Sequence, residues 1–165
     1  MTRPNAVTPP TKADRVQLAF ANSAEFAARD LYAVAASLPA FSPDEQTMLE
    51  GFHNHHRAAA QALAGLVGSA ATNVRSDEVY NAFRGRVMGS DKSAIFDALR
   101  DLENTLASTH LALVGSLEGS EGAALVASIL NIEARQSTTL SLLGGKSLND
   151  ALVNDSAPLA LGDGA

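Results

Sequence analysis

The chain has 165 residues, 46% of them hydrophobic and 18% charged, a makeup that suits one domain with its own core and excludes a disordered polyelectrolyte. A net charge of −6 with scattered Lys and Arg leaves no basic face for nucleic acid or anionic lipid, and no run reaches the ~18 apolar residues that suggest a membrane span. The lack of cysteine excludes disulfides, zinc ribbons, iron–sulfur clusters and thiol nucleophiles.

Residues 1–11 contain three prolines and no apolar signal run, so they read as a flexible arm on a cytoplasmic protein. From residue 12 onward Ala and Leu dominate and aromatics fall to 5% of the chain, a bias toward helix formers and an all-α fold. The first helix is expected from Lys12 to Leu38, ended by Pro39. Ser42, Pro43 and the acids that follow then cap a second helix running to Val67. About twenty residues of crossover follow, with a short helix at Asp77 to Arg84.

A third helix starts at Ser90-Asp91 and reaches Leu117, EGSEG makes the turn, and a fourth ends at Leu143 before Gly144-Gly145. Two antiparallel hairpins joined by one long crossover form a ferritin-like four-helix bundle over residues 12–145. Residues 146–165 read as a docking arm, with a short helix at Leu148 to Val153, and a loose tail.

The stretch EGFHNHHRAAA in the second helix holds three of the four histidines. On that helix Leu49, Phe52, Ala59, Leu63 and Leu66 mark the apolar stripe, and His56 falls at its centre. His53 lies about 60° aside on the inner flank, whereas His55 and Glu50 fall about 100° or more away, as solvated surface positions. The third helix directs Glu103 and His110 among its core leucines, and the fourth directs Glu133 and Gln136 among its own. Unpaired carboxylates in an apolar interior are costly, so they need a cation, a partner or water. Counted from the turns, Glu25, His53, His56, Glu103 and Glu133 come to a similar depth, and Glu103 is expected to meet Glu133. The first helix has two nearly opposite apolar faces. If Glu25 points inward, the face through Phe20, Leu31 and Leu38 needs a cover, from the C-terminal arm or a second subunit.

These pieces resemble the bacterial ferritin-like domain family over roughly residues 12–145: AFANSAEFAARDLY, FHNHHRAAAQAL, DLENTLASTHLALVGSL and ILNIEARQSTTLSLLGG. The resemblance implies a dinuclear metal centre, with one Glu from each of two helices and a Glu-x-x-His from each of the others. Glu25, Glu103 and Glu133 match the family's Glu positions, His56 a His position, and Tyr32 an aromatic one. His53 stands where a Glu is expected and Gln136 where a His is expected, which implies an altered site holding less charge.

Glu25, His53, His56, Glu103 and Glu133 are therefore the expected ligands of one or two iron or manganese ions, with Gln136, His110 and Tyr32 as weak or outer partners. Such a site reacts with oxygen or peroxide if a coordination position stays open. The alternative is a metal-free structural or assembly module that keeps the fold. On either reading a homo-oligomer, dimer or larger, is expected to form through the first helix. No hydrolase, P-loop or dinucleotide signature appears.

Overall fold

Side-chain caps placed by the sequence start most of the helices. In a computed structural model that describes residues 6–160, Thr11 and Asp14 form a reciprocal capping box at the head of α1 (Lys12–Ala36). Ser42 and Glu45 do the same for α2 (Pro43–Val67), whose Pro43 sits in the first turn where a missing N–H costs nothing. Ser76 caps α3 (Asp77–Val87), Asp91 caps α4 (Lys92–Ser116) and Ser147 caps α6 (Leu148–Ala151). Only α5 (Ser120–Leu143) starts without such a cap, on Gly119. A 3₁₀ turn at Gly68–Ala70 follows α2. The described residues thus form six helices and no strand.

Several boundaries differ from expectation. The first helix stops at Ala36, two residues early, and α3 runs on to Val87, past Arg84. α6 ends at Ala151, not Val153. The α4–α5 turn shrinks to residues 117–119, with SEG of the EGSEG motif already helical.

Asp14 explains the tight turn. Its carboxylate accepts from the backbone N–H groups of Thr11, Glu118 and Gly119, so one side chain joins the head of α1 to the α4–α5 corner. Burial alone would raise this carboxyl, but those backbone donors hold it below the usual range. Asp14→Ala leaves three N–H groups without their acceptor and is expected to cost about 2–3 kcal/mol in urea unfolding, with Asn restoring part of it.

α1 packs along α2, α4 along α5, and α3 wedges against α1 and α4. Val79, Phe83 and Val87 of α3 join the apolar cluster that includes Leu31 and Val34 of α1. The part of the outer face of α1 around Leu31 and Val34 therefore has an intramolecular cover, from the crossover itself, whereas Val16 near its start stays exposed. The C-terminal arm lies on α4: Asn154 donates to the Asn104 carbonyl, and the Leu159 N–H donates to Thr109. Residues of the N-terminal arm touch the α4–α5 corner, where Thr8 and Ser120 exchange hydrogen bonds. Residues 1–5 and 161–165, the outer parts of the two expected arms, lie outside the described residues. No helix among the described residues is long and apolar enough to cross a membrane.

The apolar interior comes in two clusters, one around Leu31, Leu49, Phe96 and Leu140, the other around Leu18, Leu63, Leu113 and Val126. Where the two clusters meet, the long helices bury polar side chains: Glu25 on α1, His56 on α2, His110 on α4 and Glu133 on α5, with Glu103 one turn inside the first cluster. That interruption is the candidate site.

Candidate metal centre

Glu25 of α1, His56 of α2, Glu103 and His110 of α4, and Glu133 of α5 are all buried side chains. Each is delivered by an apolar stripe that continues above and below it, so the helix cannot turn the polar group outward without exposing leucines. Glu103 and His110 are two turns apart on one face of α4, and both point inward.

The groups form an alternating chain. Tyr32 donates its hydroxyl proton to Glu103 Oε1 and stacks on the His56 ring. His56 Nε2 lies 3.0 Å from the same oxygen, and its Nδ1 lies 2.8 Å from Glu25 Oε2. His110 Nδ1 is 2.8 Å from Glu133 Oε2, while its Nε2 is 3.6 Å from Glu25 Oε1, beyond hydrogen-bond reach.

Charge follows from these contacts. Burial would lower the His56 pKa, but the carboxylates of Glu103 and Glu25 override it and hold it well above the usual histidine value. His56 is an imidazolium donating from both nitrogens. For Glu25, burial pushes the pKa up, yet the charge and hydrogen bond of His56 bring it below the ordinary value. For Glu133 the charge of His56 is too weak an offset. Burial, reinforced by the negative charges of Glu25 and Glu103, pushes its pKa well above 4.5. His110 is lowered by burial, only partly opposed by Glu25, so it is a neutral imidazole. Tyr32 is pushed well above its usual value by burial and by Glu103.

Four donors are left over. Glu25 Oε1, Glu103 Oε2, His110 Nε2 and Glu133 Oε1 are buried without hydrogen-bond partners, as is the amide oxygen of Gln136. An orphaned buried polar atom costs about 1–3 kcal/mol, more when charged, so a group of them facing one another marks a place built for something else. One ligand atom each from Glu25, His110 and Glu133 lies within 4.8 Å of the others. Donors held at about 2.0–2.6 Å from a common cation are separated by no more than about 5 Å, so the three fit one ion. Hard carboxylate oxygen with imidazole nitrogen is the donor chemistry of first-row divalent metals.

The expected residues are thus redistributed. Glu25, His56, Glu103 and Glu133 converge as anticipated. His53 does not join them: its Nδ1 donates to the Arg29 carbonyl at 2.8 Å. The offset of about 60° from His56 is enough to move it from the interior to the α1–α2 seam. Both nitrogens of His56 face carboxylate oxygens, one from Glu25 and one from Glu103. Glu103 and Glu133 share no direct hydrogen bond and are linked through His56, Glu25 and His110. His110, expected only as an outer partner, stands in the middle, although its spacing of seven from Glu103 was visible in the sequence. Gln136 is buried but turns its amide N–H to His55 Nδ1 at 2.9 Å. That gives His55 a partner across the helices that its surface position did not suggest.

The protonation pattern has a consequence for the metal-free protein. His56 has a raised folded pKa, so its contribution is complete below about pH 6.5 and is lost as pH rises through the folded value. Glu133, also raised, acts with the same sign from about pH 4.5 upward. His110, lowered, has the opposite sign, but its effect is finished by about pH 6.5. Stability of the metal-free chain is therefore expected to fall as pH rises above about 6.5, by up to about 1.4 kcal/mol per pH unit for each proton involved. Urea titrations across that range check it; a flat or rising profile contradicts the assignment.

A family model described as a ferritin-like domain matches residues 13–146 of the chain. Searches of curated proteins and of solved structures return no match.

Proposed function

The chain belongs to the ferritin-like domain family, and from that premise we propose that it binds one divalent cation, iron or manganese, between α1, α4 and α5. The observation that carries this reading is that Glu25, His110 and Glu133, all buried, each offer a ligand atom within 4.8 Å of the others, and each also keeps one atom without a hydrogen-bond partner. In the family arrangement α1–α2 and α4–α5 are antiparallel hairpins, with α3 in the crossover between them.

Charge supports a single ion. Glu25 and Glu133 as carboxylates neutralise one divalent cation, and His110 adds a neutral nitrogen through Nε2. The proton that burial keeps on Glu133 leaves when a cation takes its place, so binding tightens as pH rises. A second ion would need a lone pair from His56, whose two nitrogens already hold Glu25 and Glu103. Tyr32 and Glu103 fix the His56 ring, and His56 in turn fixes the Glu25 carboxylate through Oε2, leaving Oε1 free. A bound iron or manganese ion supplies one-electron redox chemistry, and with it reactivity toward oxygen or peroxide.

Elemental analysis of protein purified without chelator, followed by titration with ferrous iron and with manganous ion, tests this. One equivalent per chain is expected. Less than about a tenth of an equivalent, with none gained on adding ferrous iron, overturns metal binding; two equivalents overturn the single-ion site.

A further inference from the structure

The proposed ligands are buried, so an ion must pass between helices to reach them. α2 and α5 touch far less than the paired helices α1–α2 and α4–α5 do. Among the described residues, the one side-chain hydrogen bond that joins α2 to α5 runs from Gln136 Nε2 to His55 Nδ1. Outside that bond lies an open groove lined by Phe52, His55, Ile132, Arg135, Gln136 and Thr139. Inside it lies a small cavity, bounded by Glu25, His56 and Glu133 together with the same His55, Ile132 and Gln136.

We propose that the His55–Gln136 pair is a latch on the path of the cation, and that the Gln136 amide oxygen is the donor that receives the ion between groove and ligands. This inference rests on the metal-binding reading above. Gln136 and Glu133 are one turn apart on the same face of α5, and the amide oxygen of Gln136 is buried beside the inner cavity without a partner. A neutral amide oxygen binds a hard cation weakly, which suits a transfer position from which the ion must leave again. Its amide N–H group meanwhile holds the exposed His55 ring across the opening. One neutral hydrogen bond contributes about 1 kcal/mol net, so the closed latch is favoured about fivefold over the open one. Phe52 stacks on His55 and gives the closed ring a resting place. The charged side chain lining the groove is Arg135, which repels cations. Electrostatic steering therefore does not speed the ion inward, and opening of the latch limits the rate.

Stopped-flow absorbance of Co²⁺ binding provides the test. His55→Ala is expected to raise both association and dissociation rates about fivefold while one Co²⁺ per chain is retained. Ile132→Trp, which fills the passage, is expected to lower both; if that variant fails to fold, Thr139→Trp at the outer rim takes its place. Gln136→Leu also removes the latch but has no oxygen, so it should bind Co²⁺ more slowly than His55→Ala does. Rates within twofold of wild type for His55→Ala and the Trp variant overturn the latch, and equal rates for Gln136→Leu and His55→Ala overturn the transfer role. If the unaltered chain binds no Co²⁺, both this inference and the metal-binding reading fall; normal binding with unaltered rates removes this inference alone.

Discussion

A His110→Ala chain is expected to lose its ion, with affinity for Fe²⁺ or Co²⁺ reduced more than about 100-fold. Partners that merely orient a ligand are worth about 10–100-fold in affinity, and His110 is placed as a ligand itself. Its Nδ1 is fixed by Glu133, which aims Nε2 at the free oxygen of Glu25. Removal takes away the nitrogen donor and also releases the Glu133 carboxyl from its hydrogen bond. His53→Ala is the informative control. Its ring bonds to a backbone carbonyl on the α1–α2 seam, and its loss should leave ion binding within about twofold of wild type. Isothermal titration of both variants decides between the two histidines. If His53→Ala loses the ion and His110→Ala keeps it, the ligand set proposed here is wrong.

The second large effect concerns stability without any metal. His56→Ala removes the cation held between Glu25 and Glu103 and leaves both side chains buried without it. Breaking a buried ion pair by deleting one partner costs about 3–5 kcal/mol, and a domain of this size has only about 5–15 kcal/mol in total. Loss of the imidazole also opens a space against Tyr32, which stacks on it. The variant is expected to sit near the edge of folding at pH 7. Adding Glu25→Gln and Glu103→Gln should recover part of the loss, since neutral amides are less costly to bury than carboxylates. Urea unfolding of the single and triple variants measures this. A loss under about 1 kcal/mol for His56→Ala would show that the imidazole is not the counter-charge of the cluster.

Much of this arrangement was legible in local pattern. Glu25, His56, Glu103 and Glu133 each interrupt an apolar stripe, and counting from the short turns brought them to one level. The cost of burying carboxylates then required that they meet something of opposite charge. His110 and His53 lie elsewhere than their helix positions suggested, for one reason. Position on a helix is known from sequence to within tens of degrees, and that margin separates a ring in the interior from a ring at a seam. The cover on the outer face of α1 was missed differently. The short α3 was visible as a helix, yet nothing local fixes which surface a crossover packs upon.

The sequence by itself determined the helices, most of their ends and the inward direction of the acids, because capping, periodicity and desolvation act within a turn or two of the residue concerned. Tertiary structure decided which atoms face each other. It gave both nitrogens of His56 to carboxylates, left Nε2 of His110 free, and tied Gln136 to His55. Those outcomes depend on the rotation and spacing of neighbouring helices, set by the packing of the whole core, and a hydrogen bond is made or lost over a few tenths of an ångström.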